Sequence, residues 1–313
     1  MNCEILETLY VRSNGDIPCN DDAGENVLLG LIRPQLRKWS PDSLFGNRSF
    51  RHIRESLARG QEPWPGVCQR CAFFRPHVPF SDAISQRRIR KLQVEPSLAC
   101  HLRCPSCSNQ FQKRTRPPPL QMDLGLFEEM LRSLRGEAYS IGEIEYCGQG
   151  EPLLHPLFAE FVACASESFP EAHQRLITSG NFSYSSTAGR ADLDEVIVSC
   201  DGIFPDSYSR YRKGGSVDRP IQFLRDARES APFPALLVIW KYILFEWNDS
   251  EEELVAAQRL ADELHLDWLL FVFTHSAGKS RRHTLEDPSS LPVLGTRVIT
   301  NATPVHYQVV PPS

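Results

Sequence analysis

Cys100-His101-Leu102-Arg103-Cys104-Pro105-Ser106-Cys107 decides how this chain is read. Three cysteines at i, i+4 and i+7 would share one face of a helix, and cysteine packs as a small hydrophobe. Pro105 opposes that arrangement, because a proline in a helix interior costs about 3 kcal/mol. A loop wrapped around a metal fits better. Soft thiolates select zinc or iron–sulfur clusters. Zinc in a structural site wants four ligands, and His101 or a distant cysteine can complete the set. Three cysteines on one loop instead suit three corners of a [4Fe–4S] cube with the fourth iron left open.

Working outward, the loop follows a strand-like run, Arg90–Glu95, and further such runs appear at Ile141–Cys147, Gln174–Thr178, Glu195–Ser199, Ala235–Phe245 and Asp267–Phe273. Helical periodicity separates them. Leu124, Phe127, Leu131 and Leu134 follow Asp123 as N-cap, and Ser250 with Glu253 reads as a capping box. Alternation of this length predicts a parallel α/β architecture of six strand–helix units. Such sheets and barrels carry their chemistry at the C-terminal strand ends. Those ends read Cys147-Gly148-Gln149-Gly150-Glu151-Pro152, Thr178-Ser179-Gly180-Asn181 and Ser199-Cys200-Asp201-Gly202. Each is ordinary turn chemistry alone, but all share one rim with the cysteines.

Together these residues resemble the radical S-adenosylmethionine (SAM) superfamily, over roughly residues 88 to 275. Cys-x₃-Cys-x₂-Cys after the first strand is that family's defining motif. Gly148-Gln149-Gly150-Glu151-Pro152 resembles its Gly-Gly-Glu motif, and Tyr211-Arg212-Lys213-Gly214-Gly215 its Arg-Gly-Gly stretch. The resemblance implies a six-stranded partial TIM barrel. It also implies a [4Fe–4S] cluster on Cys100, Cys104 and Cys107, with SAM chelating the open iron. SAM contacts fall by resemblance on Gly148, Gly150, Glu151, Thr178, Ser179, Asn181, Ser199, Asp201 and Arg212. One electron would cleave SAM to a 5′-deoxyadenosyl radical that abstracts hydrogen from an unactivated C–H bond. The residue before the third cysteine is often aromatic in the family and is Ser106 here, which leaves Phe271 or Phe273 to pack the adenine.

The first quarter holds Cys3, Cys19, Cys68 and Cys71. Val11 to Cys19 reads as a hairpin turning at Asn14-Gly15, followed by a helical run with Phe50, Ile53 and Leu57 closed by Gly60. This resembles the SPASM or twitch module of some radical SAM enzymes, here placed before the barrel instead of after it. The four cysteines would hold a second, auxiliary [4Fe–4S] cluster by resemblance; as a plain pattern they also suit a zinc staple. The expected domains are therefore 1–85 for the cluster module, 86–280 for the barrel and 281–313 for a tail with strand-like runs at Arg297–Thr300 and His306–Val310.

Hydrophobic residues at 41% and charged residues at 23% describe an ordinary globular chain, and a net charge of −5 gives no overall reason to expect nucleic acid. The N-terminus lacks a signal-peptide pattern and no apolar run reaches about 18 residues, so no membrane association and a cytoplasmic location are expected. Ten cysteines in that reducing compartment argue for metal or catalysis over disulfides. Cys147, Cys164 and Cys200 read as packing. Lys241, Glu246 and His275 are candidate substrate contacts. Lys113, Arg114 and Arg116 suit an anionic substrate, with a solvated loop as the default. The expected function is radical chemistry on a small biosynthetic intermediate (a sugar, a nucleoside or a natural-product precursor), with electrons from a flavodoxin or ferredoxin. Oxidation, epimerisation and sulfur insertion stay open, as do peptide maturation and a non-catalytic iron–sulfur or zinc protein.

Overall fold

The computed structural model describes residues 1–20, 26–32, 39–116, 118–231, 235–293, 295 and 297–302. They fall into two compact units. The first comprises Met1–Cys100, Cys107–Ile177 and Arg190–Asp194; the second comprises His101–Ser106, Thr178–Gly189 and Glu195–Ser313.

The first unit opens with β1 (Asn2–Cys3), β2 (Thr8–Val11), β3 (Asp16–Pro18) and β4 (Leu28–Leu31). Helices α1 (Pro41–Phe45) and α2 (Arg48–Ala58) follow, then β5 (Phe74–Arg75) and β6 (Arg88–Val94). After the cysteine loop come α3 (Asn109–Thr115), α4 (Leu124–Gly136), β7 (Ser140–Tyr146), α5 (Phe158–Ser168) and β8 (His173–Thr178). Strands β2, β6, β7 and β8 run parallel, side by side in that order. Two antiparallel pairs, β1 with β5 and β3 with β4, stand apart from them.

Local chemistry explains these elements. Asp123 accepts a hydrogen bond from Leu126 N at 2.9 Å and starts α4, whose Phe127, Met130, Leu131 and Leu134 are buried. Phe127 stacks on Phe161 of α5 with ring centroids 4.9 Å apart. Asn47 caps α2 in the same way, and Phe50, Ile53 and Leu57 form its buried stripe.

The second unit carries β9 (Glu195–Ser199), α6 (Pro205–Tyr211), α7 (Asp218–Ser230), β10 (Leu237–Leu244), α8 (Glu251–Glu263), β11 (Trp268–Phe273) and β12 (Val298–Thr300). Its four strands are likewise parallel neighbours in chain order. Ser250 caps α8 through Glu253 N at 3.2 Å. The reciprocal half of the expected capping box is missing, because the Glu253 carboxylate turns to Ile203 N and Ser207 Oγ.

All six strands read from the sequence are present, each within two residues of its expected ends, in a mixed α/β fold with four parallel neighbouring strands in each unit. The two additional strands are β2 and β12. The run at Arg297–Thr300 does form a strand, but it pairs with β11; His306–Val310 lies outside the described residues. At the N-terminus the turn at Asn14-Gly15 exists, with Gly15 N donating to Arg12 O at 2.8 Å. The strands flanking it nevertheless do not pair with each other. β2 joins β6 while β3 pairs with β4. All four residues of β2 are buried, which suits a strand covered on both faces and not a half-exposed hairpin arm. Among the described residues no helix is long and apolar enough to cross a membrane.

Gly15 has φ +81°, and a Cβ there would lie 2.0 Å from Ile32 O. Gly15→Ala should therefore destabilise the chain by more than about 2 kcal/mol, while Gly60→Ala, at φ +69° with open space around it, should cost only about 1 kcal/mol. Denaturant unfolding of the two variants checks the difference.

Candidate functional site

In the first unit the loops leaving β6 and β7 are locked together by one buried carboxylate. Glu95, 4% exposed, accepts hydrogen bonds from Ser13 N at 3.2 Å, Ser13 Oγ at 3.0 Å and Gln149 N at 2.8 Å, and forms an ion pair with Arg116. Close packing against this strand end explains the two glycines. A Cβ on Gly148 would lie 2.5 Å from Glu95 Cγ, and one on Gly150 would lie 2.0 Å from Ser97 O. Glu151 N donates to Ala99 O at 2.8 Å, while the Glu151 carboxylate accepts from Leu153 N at 3.3 Å and caps the short turn Pro152–Leu154. Asn109 Nδ2 spans both loops, bonding Leu98 O and Gln149 O at 2.7 Å each.

Cys100 and Cys107 bracket the cysteine loop on the side of this unit. Lys113 Nζ donates to Cys100 O at 3.2 Å, and Asn109 N points at Cys107 Sγ at 3.5 Å. Cys107 is exposed and Cys100 half-buried. The solvated-loop default holds for exposed Arg114 only. Lys113 braces the cysteine loop, and Arg116 is buried against Glu95.

In the second unit Cys104 sits near a buried ion pair. Arg212 Nε donates to Asp201 Oδ2 at 2.6 Å, its Nη2 meets the same oxygen at 2.5 Å, and its Nη1 lies 3.9 Å from Cys104 Sγ. Asp201 is fully buried and also accepts from Ile243 N at 2.7 Å. Burial alone would weaken the Arg212 cation, but Asp201 and then Cys104 outweigh it and hold the guanidinium protonated. The segment after Arg212 steadies the cysteine loop directly: Arg103 N donates to Lys213 O at 2.9 Å. Asn181, buried, donates to Tyr208 OH at 2.7 Å and accepts from Ser216 N at 3.2 Å. Thr178 Oγ1 accepts from Gly180 N at 3.2 Å, and Ser179 and Ser199 are buried.

Strand register corrects one expectation. Lys241 lies opposite Ser199 on β9 and Leu270 on β11, so these three share a face of the sheet. Phe271 and Phe273 fall on the other face, where Phe271 meets Tyr242 edge-on with centroids 5.4 Å apart. Neither ring is available to pack an adenine on the Lys241 face. Cys200, fully buried with its thiol donating to Gly202 O at 3.3 Å, is packing as expected. Glu246 and His275 are exposed.

The four N-terminal cysteines line a single pocket with Ile5, Ile53 and Trp64 among its walls. Pairing of β1 with β5 sets Cys3 opposite Phe74, three residues beyond Cys71. The β3–β4 turn presents Cys19, whose sulfur accepts from Val27 N at 3.2 Å; Asn20 Nδ2 lies 3.4 Å from Cys71 Sγ. Burial, reinforced by mutual repulsion, pushes the Cys3 thiol up to about 12 and Cys19 to about 11. As thiolates these groups need a cation among them, and N–H donors aimed at sulfur are what a thiolate-bound cluster uses. The residues fit such a group. Among the described residues no set of three or more His, Cys, Asp or Glu is placed to hold a single metal ion.

No family model matches the chain, and no curated protein matches it. Solved structures do. SuiB of Streptococcus suis bound to its precursor peptide SuiA superposes with a TM-score of 0.50 at 13% identity, covering 75% of this chain and 55% of that one. A radical SAM methyltransferase from Sphaerobacter thermophilus gives a TM-score of 0.50 at 16% identity, covering 67% and 65%. The chain has the radical SAM fold. It spans 44% of the length of SuiB in the SAM-bound form, where identity is 16%, 63% of this chain is covered and the TM-score is 0.49.

Within this radical SAM fold, two residues that hold the strand ends together escaped the sequence reading. Glu95 looked like the last residue of a strand, and Arg116 like one of several loop cations. The available signal was a carboxylate placed between a strand and a metal-type loop, where a buried ion needs partners. Replacing Asp201 by Ala strands the Arg212 cation, 12% exposed, in the interior. Unfolding in urea should register a loss of about 3–5 kcal/mol with an unchanged slope.

Proposed function

We propose that this chain is a radical SAM enzyme. The observation that carries the reading is the Cys100, Cys104 and Cys107 loop leaving β6 directly, in a chain with the radical SAM fold. In this reading those three cysteines hold the SAM-binding [4Fe–4S] cluster. The backbone of Gly148 and Gly150 meets SAM beside Glu151, which shapes the turn. Thr178, Ser179, Asn181, Ser199 and Asp201 supply further polar contacts, and Arg212 sets a positive charge near Cys104. Cys3, Cys19, Cys68 and Cys71 hold a second [4Fe–4S] cluster, supported by their shared cavity and by the N–H groups aimed at their sulfurs. When bound, these groups supply one-electron chemistry that reaches unactivated C–H bonds.

The chain's own part is to bind, orient and keep water out. Glu95 fixes the glycine loop to the strand end, and Asp201 fixes Arg212, so both polar sets are organised before any ligand arrives. The substrate is a small biosynthetic intermediate and the electron donor a flavodoxin or ferredoxin. The second cluster assists oxidation or sulfur insertion. A second reading, peptide maturation, draws on the likeness to SuiB, which was solved with its precursor peptide.

Anaerobic reconstitution tests both cluster assignments. About eight irons per chain are expected, falling to about four when Cys19 and Cys68 are replaced by Ala. With SAM and a strong reductant the wild type should release 5′-deoxyadenosine and Cys104→Ala should not. Stoichiometric zinc in place of iron, or equal product from the variant, defeats the reading.

A further inference from the structure

Asn20 stands beside Cys19 in the four-cysteine pocket and is 1% exposed. The walls around it are largely apolar, built from Ile5, Ile53, Val67 and Phe74 with the indole of Trp64. Asn20 Nδ2 lies 3.4 Å from Cys71 Sγ, on a turn 51 residues further along the chain, and 3.7 Å from Cys19 Sγ. A primary amide carries two N–H donors, one for each sulfur.

The other sulfurs have backbone partners. Val27 N donates to Cys19 Sγ at 3.2 Å, and backbone hydrogen bonds at Ile5 and Trp64 reach Cys3 and Cys68. For Cys71 Sγ, Asn20 is the one donor among the described residues. Cys71 therefore depends on a side chain, which a substitution removes, where the others depend on the main chain, which it leaves in place. Four thiolates outweigh the positive charge of a [4Fe–4S] core, so the group this pocket would hold is an anion, and reduction makes it more so. Apolar walls oppose that added charge. Donors aimed at the sulfurs favour it and raise the reduction potential.

We propose that Asn20 is a positioning residue for the second cluster: its amide ties Cys71 to Cys19 and raises the reduction potential of the [4Fe–4S] group held there. The proposal deepens the reading above and rests on it for the presence of that cluster. An amide that merely filled the turn would leave the potential where it is.

The test is an anaerobic potentiometric titration of the reconstituted full chain, followed by electron paramagnetic resonance. The signal that changes on adding SAM reports the Cys100, Cys104 and Cys107 cluster, and the signal that does not reports the second one. Asn20→Leu keeps the size of the side chain and removes the donor. It should lower the reduction equilibrium of the second cluster about tenfold, read as a midpoint about 59 mV lower, with the SAM-responsive midpoint unmoved. Should Asn20→Leu fail to hold the second cluster's iron, Asn20→Gln, which keeps the amide, must hold more iron than Asn20→Met, which has its length without a donor. An unmoved second midpoint in Asn20→Leu with its full iron overturns the proposal, as does equal iron in the Gln and Met variants. So does a shift of both midpoints together. Failure of the underlying reading shows separately, in wild type itself, as about four irons per chain or stoichiometric zinc, and takes the proposal with it.

Discussion

Everything in the first unit's rim depends on the burial of one carboxylate. Moving an ionised carboxylate out of water costs several kcal/mol unless hydrogen bonds and an opposite charge replace the water. Glu95 collects those replacements from three separate stretches: Ser13 in the N-terminal segment, Arg116 after α3, and the Gln149 backbone in the glycine loop. Each stretch is thereby fixed to the end of β6. The glycines at 148 and 150 follow from the same constraint, since any side chain there would collide with Glu95 or with the Ser97 carbonyl. A loop held this closely presents its backbone in one arrangement, which is the precondition for recognising a ligand through amides and carbonyls.

The second unit solves the same problem with the charges reversed in role. Asp201 is the buried anchor and Arg212 the group it positions, and the cation then faces the Cys104 sulfur. Hydrogen bonds and positive charge near cluster sulfurs raise reduction potential. A guanidinium at 3.9 Å from that sulfur is thus a means of tuning a cluster, should one be held there. Asp201 takes up two Arg212 nitrogens, and the third lies 3.9 Å from Cys104 Sγ.

The elements with strong periodicity were legible: six strands, α4 with its Asp123 cap, and α8 with Ser250. The cysteine loop was legible because proline forbids the competing helix. Harder to read was anything set by a distant partner. The Gly148–Gly150 spacing suggested close backbone approach; what it did not show is that the chain's own β6 exit lies against both positions. Phe271 and Phe273 looked like cavity aromatics until the pairing of β10 with β11 fixed their face, since a shift of one residue reverses every side chain. The turn at Asn14-Gly15 carried the residues of a hairpin, but β2 is buried on both faces and found a parallel neighbour. Arg116 read as a solvated loop cation because its partner, Glu95, lies 21 residues away in the chain.

Chain order matters less to this architecture than strand position. Val11 and Val94 lie far apart in the chain, yet β2 lies parallel to β6 in register, with Val11 opposite Val94. Parallel neighbours deliver the loops that follow them to the same edge of a sheet. The segment after β2 leads through Arg12 and Pro18 to Cys19, and the segment after β6 leads through Glu95 to Cys100. The Ser13–Glu95 hydrogen bonds join these two segments within two residues of Val11 and one of Val94. An N-terminal strand is therefore sufficient to bring the segment that carries Cys19 to the edge where the cysteine loop begins.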